Sequence, residues 1–117
     1  MDINKFKQLI KERNIQETEY FDEWTEKIEE INDKMVNIIC EDMENSILYL
    51  TNECLPEEFV YLSEIFDKIV LKTQNKKFID TFYFLANKYS KETQEYNIMY
   101  FIDYAKGFLN QGDNNEN

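Results

Sequence analysis

The fold is decided by residues 21–50, which read FDEWTEKIEEINDKMVNIICEDMENSILYL. Apolar side chains recur here every three or four residues, as they do on one face of an amphipathic helix. The first apolar set is Phe21, Trp24, Ile28, Ile31, Met35, Ile38 and Ile39. Continuing that register would bury Asp42, and a rotated set takes over: Val36, Cys40, Met43, Ile47 and Leu50. The pattern predicts a long bent helix, or two helices, ending near Glu53, with Trp24 in the core.

Further helical patterns lie on both sides of this stretch. Asp2 is a candidate cap for a first helix that frays near Asn14, Pro56 suits a helix start, and Asn75 is another candidate cap. Residues 90–96 read as a loop or a first turn. The apolar sets of these helices are Ile3, Phe6, Leu9 and Ile10; Phe59, Leu62, Ile65, Phe66, Ile69 and Val70; Phe78, Ile79, Phe82, Leu85, Ala86 and Tyr89; and Ile98, Phe101, Ile102, Ala105, Phe108 and Leu109.

Composition favours an all-α fold. The 117 residues include only two glycines and one proline, too few for the tight turns of a β-sandwich or barrel. Hydrophobic residues make up 43 %, which is enough for one folded core. We therefore expect a single all-α domain over residues 1–109, a compact bundle of five or six helices with a long or bent second helix. Residues 110–117 form a polar tail that we expect to be disordered.

Negative charge is concentrated in one third of the chain. The formal net charge is −11, and residues 17–58 contain fourteen acidic and two basic side chains, which gives −12 for this segment alone. Charge of this kind describes partners rather than fold. It disfavours nucleic acid and anionic membrane surfaces, and it favours a basic surface on another protein.

Several chemistries are excluded by missing residue types. The chain has no histidine and two cysteines, Cys40 and Cys54, which form no CxxC pair. The chain therefore lacks the base for histidine-based catalysis. It also lacks the histidine ligands of common zinc sites and of carboxylate–histidine di-iron sites. We expect no enzyme activity, no cofactor and no metal. With no apolar stretch long enough for a membrane span or a signal peptide, we expect a cytoplasmic protein.

Acidic side chains form a stripe opposite the apolar face of the long helical pattern. On a helical wheel, seven positions fall within about 80° of one another. The acidic members are Glu23, Glu26, Glu30, Asp33, Glu41 and Glu44, and the seventh position is Asn37. A solvated helix face normally mixes acids with lysines. The acidic stripe is therefore either a solvated face or a contact surface for a basic partner.

Tyrosines form a second stripe near the carboxyl terminus. Tyr96, Tyr100 and Tyr104 are spaced four residues apart, opposite the apolar side of the last helix. Either this face packs on another helix, or it is partly exposed. Exposed tyrosine is typical of interface hot spots.

Part of the chain resembles a group of bacterial proteins. Residues 55–74 (LPEEFVYLSEIFDKIVLKTQ), with 78–80 (FID), 88–90 (KYS) and 96–98 (YNI), look like bacterial immunity proteins of contact-dependent growth inhibition and related polymorphic toxin systems. The resemblance lies in helix starts and apolar spacing. It implies a non-enzymatic protein that binds the C-terminal domain of one cognate toxin. Such toxins are often nucleases with basic clefts.

The leading hypothesis is therefore an immunity protein, monomeric when free, whose acidic helical face covers a toxin's basic active-site cleft. The candidate contact residues are the six acids of the stripe and the three tyrosines. One alternative is an acidic nucleic-acid mimic, which would bind several basic clefts. Another is a helical scaffold or regulator that self-associates through its aromatic stripe.

Overall fold

The computed structural model describes residues 1–20 and 26–109, and these ranges form eight α-helices with no strand. The all-α prediction is confirmed, and the predicted count of five or six helices is too low. The helices are α1 (Ile3–Tyr20), α2 (Glu26–Glu41), α3 (Met43–Glu53), α4 (Pro56–Ser63), α5 (Phe66–Thr73), α6 (Lys76–Lys88), α7 (Ser90–Glu95) and α8 (Ile98–Lys106). The predicted tail, 110–117, lies outside the described residues, as do Phe21, Glu23 and Trp24.

The first helix starts as predicted and is longer than predicted. The carboxylate of Asp2 accepts a hydrogen bond from the backbone N–H of Lys5 at 3.1 Å, which caps the helix. The helix does not fray at Asn14 but continues to Tyr20. Tertiary contacts hold its second half, because Arg13 is buried against Glu64 and the Tyr61 hydroxyl donates to Glu17 at 3.1 Å.

Asp42 separates α2 from α3, as the change of register predicted. The residue has non-helical backbone angles, and its side chain accepts a hydrogen bond from the backbone N–H of Asn45 at 3.3 Å. A carboxylate that would enter the core in a continuous helix thus caps the next one. Glu53 ends α3, which agrees with the predicted boundary.

The helical pattern of residues 55–73 is divided in two. The backbone N–H groups of Glu64 and Ile65 bond to carbonyls three residues back, which tightens and ends α4. Ile65 then adopts non-helical angles and α5 begins at Phe66. Ile65 and Phe66, on either side of this boundary, are both fully buried. The division, together with a complete helix α7 at 90–95, accounts for the higher helix count.

Helix α5 occupies the middle of the bundle. It packs chiefly on α8 and also on α2, while α1 packs on α2 and α3 packs on α6. Rings from α4, α5 and α6 meet in the core, where Phe66 and Phe82 stack at 4.0 Å between centroids and Phe59 lies 5.3 Å from Phe82. Consequently α2 and α8, the two helices that carry the predicted contact residues, are held on the same central helix.

One buried carboxylate joins three helices. Glu58 in α4 is 2 % exposed. Its Oε2 lies 2.8 Å from Nζ of Lys7 in α1, and its Oε1 accepts hydrogen bonds from the hydroxyl of Tyr49 in α3 at 2.7 Å and from the backbone N–H of Leu55 at 3.0 Å. We call this cluster the Glu58 junction. It fixes α1 and α3 against the start of α4.

Gln74 connects the end of α5 to the end of α8. Its backbone is left-handed, with φ of 51°, a conformation that ends helices and usually favours glycine. Its side-chain amide donates a hydrogen bond to the carbonyl of Phe108 at 2.7 Å. This contact positions α8, and therefore its exposed side chains, relative to the central helix.

Candidate functional site

The acidic stripe lies on the exposed side of α2. Ile28, Ile31 and Met35 are buried against the bundle, and the opposite side of the helix faces outward. Four stripe carboxylates on α2 and one in the first turn of α3 are exposed: Glu26, Glu30, Asp33, Glu41 and Glu44. The sixth predicted member, Glu23, lies outside the described residues. The helix therefore presents the predicted carboxylates together.

Lysines from other helices approach the edge of this stripe. Nζ of Lys68 in α5 lies 3.8 Å from Oε2 of Glu29, and Lys72 donates a hydrogen bond to Oδ1 of Asn37 at 3.2 Å. Lys27 lies 4.0 Å from Glu30 within α2 itself. Spacing along one helix did not reveal the two α5 lysines. Neither α5 lysine pairs with a described carboxylate of the stripe, since Glu29 lies beside it and Asn37 is uncharged.

The tyrosine stripe is exposed rather than covered by another helix. Tyr96, Tyr100 and Tyr104 are 49 %, 60 % and 54 % exposed. The rings of Tyr100 and Tyr104 stack with 6.4 Å between centroids. On the opposite side of α8, Ile98, Ile102 and Ala105 are fully buried and anchor the helix. Tyr96 lies outside α8, directly after α7, because Asn97 has a left-handed backbone and separates the two helices, so the predicted stripe is not continuous on one helix. We call the three exposed tyrosines, Tyr96, Tyr100 and Tyr104, the tyrosine face.

A groove beside the tyrosine face collects carboxylates from several helices. It encloses about 590 Å³ between the second half of α1, α4 and α7, and Tyr96 forms one end. Its acidic lining residues are Glu17, Glu57, Glu64, Glu92 and Glu95, and its basic lining residue is Lys91. We call it the acidic groove. Sequence patterns did not predict this groove, because its members come from helices far apart in the chain.

Three lining residues of the acidic groove, Glu17, Tyr61 and Glu64, contact a buried arginine. Arg13 is 3 % exposed, and its Nη2 donates to Oε1 of Glu64 at 2.8 Å. Its guanidinium also lies 5.1 Å from the ring centroid of Tyr61 and 3.8 Å from Glu17. Residues that line the groove thus already hold one guanidinium between carboxylates and an aromatic ring.

Glu64 is expected to titrate at a higher pH than an ordinary glutamate. Burial raises the pKa of its carboxyl above the usual 4.5, and the Arg13 guanidinium acts in the opposite direction. A carboxyl with a raised folded-state pKa contributes stability that is fully present below pH 4.5 and is lost as the pH rises through the raised value. Carbon-13 NMR titration should therefore give a midpoint above 4.5 for Glu64.

Replacing Arg13 by methionine is the control for this titration. The guanidinium favours the charged carboxylate, so Arg13→Met should move the Glu64 midpoint further upward. A wild-type midpoint at or below 4.5, or a lower midpoint in the variant, would contradict the assignment of burial as the main cause.

Reactive groups are scarce among residues 1–20 and 26–109. Burial raises the pKa of the Cys54 thiol to about 12 and that of Cys40 above its usual value, so both are thiols rather than thiolates at neutral pH. No group of three or more histidine, cysteine, aspartate or glutamate side chains in this part of the chain is arranged to hold a metal ion. What the exposed surfaces offer is negative charge and aromatic rings.

None of the helices that the structure describes is both long and apolar enough to cross a bilayer.

Comparisons of the chain with protein-family models, with curated proteins and with solved structures found no match. The resemblance to immunity proteins therefore stays a prediction.

Proposed function

We propose that the protein is an immunity protein that binds a cognate toxin domain and covers a basic active-site cleft with an acidic helical face. The observation that carries this proposal is the exposed acidic stripe. Glu26, Glu30, Asp33 and Glu41 point outward from one rigid helix whose other side is buried in the core. Such an array complements a cleft built to hold a polyanionic substrate.

Binding without turnover suits the chemistry of the exposed surface. The sequence has no histidine, and the thiols of Cys40 and Cys54 are held in the neutral form. An inhibitor needs only to occupy the cleft and repel the substrate. Carboxylates perform both tasks, because they attract the basic residues that would bind the substrate and they exclude its phosphates.

The test is co-expression with the toxin domain encoded by the gene immediately upstream. We expect the protein to protect bacterial cells from that domain and to form a one-to-one complex with it, detected by light scattering on the purified pair. The protein should neither bind nor inhibit other basic nucleases. Lack of protection by a well-expressed protein would contradict the proposal.

Two other outcomes would favour the alternatives. Capture of several unrelated DNA-binding proteins would indicate a nucleic-acid mimic rather than a cognate inhibitor. A stable dimer of the free protein would favour a self-associating scaffold. The net charge of −11 opposes such a dimer, because two copies would bring like charges together.

A further inference from the structure

We propose that the tyrosine face and its acidic border bind an arginine-bearing segment of the partner. The acidic border consists of Glu64, Asp67, Glu92 and Glu95, which line cavities together with these tyrosines. This inference rests on the proposed function, since it assigns a second contact on the same toxin. The acidic stripe on α2 would cover the cleft. The tyrosine face, carried mainly by α8, which also packs on α5, would hold a separate basic segment.

A pocket for one side chain exists on the tyrosine face. It has a volume of about 150 Å³ and lies between Tyr100, Phe101 and Tyr104 of α8 and Ser63, Glu64 and Asp67 at the α4–α5 corner. A cavity of about 150 Å³ can hold a benzene molecule. The space therefore suits one flat head group with rings on one side and carboxylates on the other.

A guanidinium matches this combination better than an ammonium or an apolar group. It is planar, stacks on aromatic faces and donates paired hydrogen bonds to carboxylates. The chain itself holds Arg13 in this manner, 5.1 Å over the ring of Tyr61 and 2.8 Å from Glu64. Glu64 lines both the acidic groove and the smaller pocket, so a second guanidinium would sit on the other side of the same residue.

The guanidinium must come from another molecule. The segments outside the described structure, residues 21–25 (FDEWT) and 110–117 (NQGDNNEN), contain no arginine or lysine. A second copy of the chain cannot supply it either, because the sequence has one arginine, Arg13, and that residue is 3 % exposed. An anionic membrane is repelled by the negative charge of this border. A basic segment of the partner is the occupant that the charge of this surface selects.

The first test uses two peptides, hexa-arginine and hexa-lysine, in calorimetric titrations with the wild-type protein and with Tyr100→Ala/Tyr104→Ala. A cation over an exposed ring contributes about 0.5–1 kcal/mol, so removing both rings should weaken hexa-arginine binding by about fivefold or more. The wild-type protein should bind hexa-arginine more tightly than hexa-lysine, and this preference should disappear in the same variant. Tyr100→Leu/Tyr104→Leu keeps apolar surface area but removes the aromatic rings that attract a cation, so this variant should lose the preference as well.

Matched controls separate this site from general charge attraction. Phe84 is an exposed ring on α6, and Phe84→Ala should leave hexa-arginine binding within about twofold of wild type, as expected for a surface change away from the site. Two triple variants each remove three negative charges. Asp67→Asn/Glu92→Gln/Glu95→Gln should weaken binding more than Glu26→Gln/Glu30→Gln/Asp33→Asn does.

The results distinguish this inference from the proposed function. Equal loss in both triple variants, with no effect of the tyrosine substitutions, would show attraction by net charge alone and overturn the inference. If the tyrosine variants protected cells as well as wild type does, the proposed function would stand, but the contact at the tyrosine face would be overturned. Arginine-selective binding without toxin neutralisation would support the site and contradict the proposed function.

Discussion

Reversal of Glu26, Glu30 and Asp33 to lysine is expected to slow association with the toxin domain by about tenfold or more at low salt, because complementary charge raises association rates by about 10- to 1,000-fold. The three changes move the net charge from −11 to −5 and replace attraction at the acidic stripe by repulsion. All three side chains are exposed on α2, so the fold should be retained. Stopped-flow mixing at several salt concentrations measures the rate.

A variant with the same net charge provides the control for this reversal. Glu19, Glu53 and Asp80 are exposed on α1, α3 and α6 and do not belong to the stripe. Their reversal to lysine should slow association much less than reversal of the stripe. Wild-type association should also slow as salt rises, since the screening length shortens to about 8 Å near physiological ionic strength. Equal rates in both variants would remove the stripe from the interface.

The second large effect concerns stability. Glu58→Ala should lower the free energy of unfolding by about 3 kcal/mol or more, because each buried donor left without an acceptor costs about 1–3 kcal/mol. The variant leaves the hydroxyl of Tyr49 and the N–H of Leu55 without the carboxylate they now contact, and it removes the ion pair with Lys7. Denaturant unfolding followed by circular dichroism measures the change.

The neighbouring glutamate is the natural control for this substitution. Glu57 also lies in the first turn of α4 but is exposed. Glu57→Ala should cost less than about 1 kcal/mol, the usual size of a helix-dipole effect at a surface. Glu58→Gln keeps an acceptor oxygen and should fall between the two. Similar losses for Glu57→Ala and Glu58→Ala would mean that the Glu58 junction adds nothing beyond the helix start.

Local signals in the sequence predicted much of the fold. The register change at Asp42, the proline at position 56 and the cap at Asn75 each act on backbone within a few residues, and the structure places helix boundaries at all three. The exposed stripe on α2 was predictable for the same reason. Its carboxylates and the buried residues opposite them belong to one helix.

Long-range contacts explain what the sequence did not reveal. Helix α1 extends past Asn14 because Glu17 accepts a hydrogen bond from Tyr61, 44 positions away, and Arg13 before it meets Glu64, 51 positions away. A buried arginine in a charged stretch looks the same in sequence as an exposed one. The acidic groove has the same origin, because no single helix carries its five glutamates.

The division of α8 into a buried and an exposed side bears on how such a protein can evolve. Ile98, Ile102 and Ala105 hold the helix in place, whereas Tyr100 and Tyr104 are more than half exposed. Exposed positions usually change stability by less than about 0.5 kcal/mol when substituted. Mutations on this side therefore meet little selection from folding and, if the tyrosine face binds a partner as we propose, strong selection from that partner. A lineage can exchange one recognition specificity for another there while the scaffold stays unchanged.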